Sequence, residues 1–192
     1  MSREVVGLKW AKILEKRPRA IPEAKRVSGA KLAGLRYERA LAKSLPLAHG
    51  VWWEFEDRNG PGWCQTDFVG TSGAWVVVLE AKWTWTHEAE EQLFGLYLPV
   101  VAKALRVPLG RVIPVVVCKK LIRGLSRPIR PSLQEALEVS YESSSAVAGC
   151  AVWHHLGGVP LLKGSSPGPL TPGPVGALMN DGPDSARERR VE

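Results

Sequence analysis

The apolar run Trp75-Val76-Val77-Val78-Leu79 stops at Glu80 and is followed by Ala81, Lys82 and Trp83. Such a run predicts a buried strand, and the alternation of strand side chains puts Glu80 and Lys82 on one face. Upstream, Val51 to Glu56 has the composition of a strand and leads into the turn-forming segment Asp57-Arg58-Asn59-Gly60-Pro61-Gly62. Trp63 to Thr71 predicts a second strand, with Asp67 between Thr66 and Phe68, and Thr71-Ser72-Gly73-Ala74 can reverse the chain. The three strands therefore form an antiparallel meander. A four-residue loop over 72–75 would pair Thr71 with Val76 and set Asp67 opposite Glu80. A shorter loop centred on Ser72 would set Asp67 opposite Val77, about 10 Å away at roughly 3.3 Å per residue.

Helical periodicity flanks the meander. Lys31 to Leu45 carries Leu32, Leu35, Ala42 and Leu45 on one stripe and ends before Pro46. Within it, Gly34 lies one turn before Glu38, on the same face. His87 to Leu105 repeats Ala89, Leu93, Leu96, Val100 and Ala104 at helical spacing, and Pro99 is expected to kink this helix or end it early. Arg111 to Lys119 predicts a central strand, Pro131 opens a short helix through Val139, and Ala146 to His154 and Val159 to Lys163 give two weaker strands. Near the N-terminus, Glu4 to Lys16 predicts a short helix, stopped by the prolines of Arg17-Pro18-Arg19-Ala20-Ile21-Pro22. No internal repeat stands out. The order helix, meander, helix, strand implies an α/β domain with a mixed central sheet flanked by helices, over residues 31–163. Residues 1–30 form a basic arm, and the Gly/Pro-rich residues 164–192 are expected to be disordered, having too little apolar surface to offset ordering.

Composition adds a partner. The chain has 192 residues and a formal net charge of +7, with basic residues crowded into the first forty-three positions. An excess of this sign favours an anionic partner, of which DNA is the leading candidate, although a solvated basic surface has the same composition. Basic and aromatic residues do not interleave along the arm except at Trp10, so no base-stacking platform is indicated there. Cys64, Cys118 and Cys150 are odd in number and far apart, which points to a reducing, cytoplasmic compartment rather than a disulfide frame or zinc ribbon. No stretch approaches the length of a membrane span and the N-terminus lacks the apolar core of a signal peptide. A homo-oligomer is compatible with the chain's size.

The candidate site combines Glu38, Asp67, Glu80 and Lys82. Three carboxylates converging at one sheet edge cannot all stay ionised without a cation, and hard oxygen ligands select Mg²⁺ or Mn²⁺ over zinc. Such an ion polarises a phosphate and acidifies a bound water, and Lys82 would hold or deprotonate that water and neutralise developing charge. The bland alternative is a surface Glu80–Lys82 ion pair with Asp67 in a turn. His154 and His155 are adjacent on a strand and point to opposite faces, so they are poor joint ligands. Trp83 and Trp85 follow Lys82 and have the chemistry to stack on a splayed base, though such residues are more often core.

Asp67, twelve intervening residues, and Glu80-Ala81-Lys82 at the end of an apolar strand resemble the core of the PD-(D/E)xK nuclease superfamily. Gly34-x-x-x-Glu38 resembles the form seen in its RecB-like and phage exonuclease branches. The resemblance spans roughly residues 31 to 120. It implies a restriction-endonuclease-like fold, metal binding by Asp67, Glu80 and the Ala81 carbonyl, assistance from Glu38, and Lys82 as the catalytic lysine. Thr66 stands where the family often has proline. The RecB-like branch also has glutamine followed four residues later by tyrosine, whereas Gln92 here is followed by Leu96, and Tyr97 comes one position too late to share its α-helical face. Together these features imply a Mg²⁺-dependent deoxyribonuclease in recombination, repair or processing, either an exonuclease or a structure-selective endonuclease, with Gln92 in support. The alternative is a non-catalytic nucleic-acid-binding protein that uses the basic arm.

Overall fold

The computed structural model describes residues 4–21, 29–72, 75–123, 129–130, 133, 135–136 and 151–154. The expected strand at 159–163, the tail at 164–192 and most of the helix from Pro131 lie outside them. The architecture is α/β: among the described residues, a mixed sheet of seven strands runs in the order β1-β2-β3-β4-β5-β7-β6, with helices on both faces. The strands are β1 (Trp10–Leu14), β2 (Ala48–Asp57), β3 (Gly60–Ser72), β4 (Trp75–Thr84), β5 (Val112–Lys120), β6 (Ile129–Arg130) and β7 (Ala151–His154). The helices are α1 (Gly29–Ala42), α2 (His87–Gln92) and α3 (Leu98–Leu105).

The meander is antiparallel, and β5 then joins β4 in parallel, as does β7 with β5. Alternation along β4 and β5 divides the core. Val76, Val78, Val112 and Val116 face the α2–α3 side, whereas Val77, Leu79, Ile113, Val115 and Val117 face the α1 side. Both faces of these strands are buried, which is why they read as continuous apolar runs. On α1 the deepest residues are Tyr37 and Leu41, followed by Leu45 just past its end. The stripe expected from Leu32, Leu35 and Ala42 lies on the flank of that face, only partly covered.

The N-terminal segment corrects one expectation. Instead of a helix over Glu4 to Lys16, residues Trp10–Leu14 form an edge strand paired with Leu14↔Trp52 through Trp10↔Glu56. The physical reason is the open edge of β2: its unpaired backbone groups accept a strand, and Ala11 and Ile13 then pack on the core. The preceding residues are tied down as well, because Val6 and Arg58 are linked through the backbone (Arg58 N–H to Val6 O, 2.9 Å) and Asp57 Oδ1 accepts from Asn59 N–H at 2.8 Å.

The second long helix does not stop at Pro99. A π-helical turn, Leu93–Tyr97, joins α2 to α3, and Leu98 N–H donates to Leu93 O five residues back. Proline explains the position. It has no N–H for the carbonyl four residues earlier, Gly95 O, and its ring crowds that carbonyl, so the turn widens. The orphaned Gly95 O is satisfied by Val5 N–H at 2.8 Å, which docks the N-terminal segment onto the turn.

Among the described residues no helix is long and apolar enough to cross a membrane.

Candidate active site

β3 and β4 carry the register required to bring the acidic residues together. Thr71 pairs with Val76 and Phe68 with Leu79, and the ladder extends to Ser72↔Trp75 in the turn direction, so the reversal is tighter than the four-residue loop expected. One step beyond Phe68↔Leu79, the same count sets Asp67 opposite Glu80. The ladder ends at Phe68↔Leu79, and beyond it the Asp67 side chain takes over from the backbone: Oδ2 accepts from Ala81 N–H at 2.8 Å. The neighbouring pair on β2 is interrupted at the same level, where Gly50 has φ 67 and the pairs jump from His49↔Phe68 to Val51↔Thr66. Only glycine adopts that conformation without strain. The corner inverts the sheet's faces: Cys64 and Trp53 pack on the α2–α3 side, whereas Phe68 packs on the α1 side. Asp67 thus sits where the sheet changes face.

Glu80 is 3 % exposed and Lys82 Nζ lies 2.6 Å from its Oε1. Its other oxygen, Oε2, is buried and meets no donor. The adjacent Asp67 carboxyl can bond to Glu80 only when one of the two acids carries a proton. Burial, the Glu80 carboxylate and Glu38 hold Asp67 well above the ordinary carboxylate range, against the opposing pull of the Ala81 N–H and Lys82. Burial also raises Glu80, despite the ion pair with Lys82. For Lys82, burial works against the charge, but the Glu80 carboxylate outweighs it and the ammonium is held to higher pH than usual. The pair of acids therefore faces each other as acceptor against acceptor, an arrangement relieved by a proton or a cation.

Glu38 reaches the neighbourhood from α1 and raises both acids electrostatically, but its Oε1 is turned to His49 Nε2 at 2.7 Å. Consistent with that, among the described residues no three His, Cys, Asp or Glu side chains close on one point. Sequence reasoning missed His49, which carries no motif and stands at the start of β2, where Phe68 on the paired strand packs against its ring at a centroid separation of 5.0 Å. Gln92 corrects another expectation. Its side-chain amide Nε2 donates to the Tyr97 hydroxyl, because the π turn brings positions i and i+5 onto one face. Tyr97 is buried and its hydroxyl is raised by burial and by the carboxylates of Glu80 and Asp67, so it stays protonated beside them.

Other candidates fall away. Trp85 is 2 % exposed and belongs to the core rather than to a surface able to stack on a base. Trp83 packs edge-on against Tyr37 at 6.0 Å, with Lys120 Nζ 5.5 Å from its ring. His154 Nε2 contacts Lys119 O at 3.2 Å, and His155 lies outside the described residues. Cys64 and Cys118 are buried thiols, and burial pushes Cys118 up to about 11, far from a reactive thiolate.

Gly34 is open: a Cβ built there meets nothing within 4 Å. The fold therefore does not need glycine at that position, and Gly34→Ala is expected to stabilise the chain by about 1 kcal/mol through helix propensity, read as a higher urea midpoint.

Comparison with protein-family models, with curated proteins and with solved structures finds no match to this chain.

Proposed function

We propose that this chain is a Mg²⁺-dependent deoxyribonuclease with a restriction-endonuclease-like core, related to the PD-(D/E)xK superfamily. The observation that carries the proposal is the buried Asp67–Glu80 pair, with Glu80 Oε2 lacking a donor and Lys82 beside it. A purely structural ion pair would not need a second buried acid at its back, because each added carboxyl raises the cost of burial. Two carboxylates and the Ala81 carbonyl are hard oxygen donors and fit Mg²⁺ or Mn²⁺. Glu38 joins them on leaving His49. When bound, such an ion supplies phosphate polarisation and an acidified water.

The chain's own residues divide the remaining work. Asp67 and Glu80 provide the negative charge that makes the site selective for a hard cation. Lys82, held protonated by Glu80, acts through its charge, steadying the phosphoryl oxygens and orienting water rather than abstracting a proton. Gln92 and Tyr97 brace each other over the carboxylates, and Tyr97 retains a hydroxyl proton to donate. The net charge of +7 suits a polyanionic substrate. The direct test is an assay with Mg²⁺ and with EDTA on linear, circular and four-way DNA. Cleavage of linear ends alone indicates an exonuclease and cleavage of junctions indicates a structure-selective endonuclease; no cleavage of any form with Mg²⁺ or Mn²⁺ overturns the proposal.

A second readout needs no turnover. The folded carboxyl pair keeps a proton that the unfolded chain loses above about pH 4. With raised folded values, this contribution to stability is complete at low pH and declines as pH rises through the folded range. In EDTA the melting temperature is therefore expected to fall between pH 5 and pH 8, and added Mg²⁺ is expected to stabilise more at pH 8 than at pH 5. An equal Mg²⁺ effect at both values would speak against binding at this pair.

A further inference from the structure

β1 brings the aromatic and basic residues of three separate segments onto one sheet face. Trp10 pairs with Glu56, Lys12 pairs with Glu54, and Glu54 pairs in turn with Trp63. These residues point away from Ala11, Ile13, Trp53, Phe55 and Cys64, which alternate with them into the core. Each glutamate holds one ammonium and one indole N–H. Glu56 accepts from Lys9 Nζ at 2.6 Å and Trp10 Nε1 at 3.0 Å. Glu54 accepts from Lys12 Nζ at 2.8 Å and Trp63 Nε1 at 3.3 Å. The indoles are thereby fixed by their edges while remaining 38 % and 39 % exposed, a preorganised aromatic surface in water.

Beside Trp10, between β1 and the end of α3, opens a cavity of about 490 Å³ whose lining includes Lys103 and Arg106. Arg106 closes α3 in the left-handed region at φ 54, a cap position that glycine most often fills. The volume is in the range of small-ligand pockets. An apolar partner would leave Lys103 and Arg106 without counter-charges. A duplex keeps its base faces stacked inside. Unpaired nucleotides meet both demands, stacking bases on indoles and setting phosphates against cations.

We infer that Trp10, Trp63 and the adjoining cavity with Lys103 and Arg106 bind unpaired nucleotides of single-stranded nucleic acid, outside the carboxylate cluster. The inference takes its class of partner from the nuclease proposal but does not depend on cleavage. The test titrates labelled oligo-dT with the full chain in EDTA, following anisotropy and tryptophan fluorescence, and repeats the titration with a duplex. Binding of oligo-dT with quenching, weakened about tenfold or more in Trp10→Ala/Trp63→Ala, with the duplex affected far less, is the expected result. Lys103→Glu/Arg106→Glu should weaken oligo-dT binding and flatten its salt dependence, a second arm in case the tryptophan variant melts abnormally. Unchanged affinity in either folded variant, or binding without quenching, overturns the inference. Wild-type chain that binds and quenches but cleaves nothing with Mg²⁺ removes only the nuclease proposal; wild-type chain that cleaves while both variants bind normally removes only this one.

Discussion

Alanine at Asp67 is expected to lower Mg²⁺-dependent cleavage by about a thousandfold or more while leaving the apo chain at least as stable as before. The two effects have one cause. Asp67 is a buried acid held above its ordinary range by burial and by neighbouring carboxylates, so its removal relieves a destabilising interaction, offset by the loss of one bond to Ala81 N–H worth about 1 kcal/mol. Lys82→Ala is expected to lose cleavage to a similar degree but to behave oppositely in stability. Without Lys82 Nζ at 2.6 Å, Glu80 is a buried carboxylate with no cationic partner, a change that costs up to about 3–5 kcal/mol when the charge cannot escape. Glu80 can escape by taking a proton, so the penalty should shrink as pH falls. Single-turnover cleavage and thermal melts in EDTA at pH 5 and 8 separate these contributions. Full activity in both variants sinks the nuclease proposal. Reduced activity together with equal destabilisation in both would mark the cluster as structural.

The meander was legible because its signals agreed: β-rich runs, turn residues, and a register in which one alignment alone sets Asp67 opposite Glu80. The detail hidden from sequence was the interruption at Gly50 and Asp67, which inverts the sheet's faces. Alternation rules assume a regular strand, and a paired corner cancels itself in the residue count. Gln92 and Tyr97 were misjudged for a related reason. The rule that i and i+5 diverge holds at 3.6 residues per turn, and the π turn before Pro99 suspends it. Pro99 announced a disturbance without giving its form, and the widened turn leaves Gly95 O to an N–H from the far N-terminal segment, Val5, which no local pattern reveals. Trp10–Leu14 is too short for periodicity to decide between helix and strand, and the unpaired edge of β2 settled it. The aromatic surface was invisible because Trp10 and Trp63 come to one sheet face only through the pairing of β1 and β3 with β2.

Trp53→Ala is expected to be the most damaging single substitution outside the carboxylate cluster, costing about 4–5 kcal/mol. Trp53 is fully buried and heads the largest side chains of the core. Its removal leaves a cavity that β2, clamped between β1 and β3, has little freedom to close. It also strips a partner from Thr66, whose hydroxyl oxygen accepts the indole N–H at 3.0 Å and whose residue is itself 0 % exposed. Natural domains have a total stability of about 5–15 kcal/mol, so the variant should populate unfolded chain at physiological temperature. Trp53→Phe separates the two contributions: it keeps most of the volume and loses the hydrogen bond, at an expected cost of about 1–2 kcal/mol. Thr66 immediately precedes Asp67, so the bond from Trp53 also fixes the corner from which Asp67 projects. Trp53→Phe is therefore expected to lower cleavage more than its stability loss explains, with activity measured well below the melting temperature. Equal activity per folded molecule would show that Gly50 and the Ala81 N–H bond suffice to hold Asp67 in place.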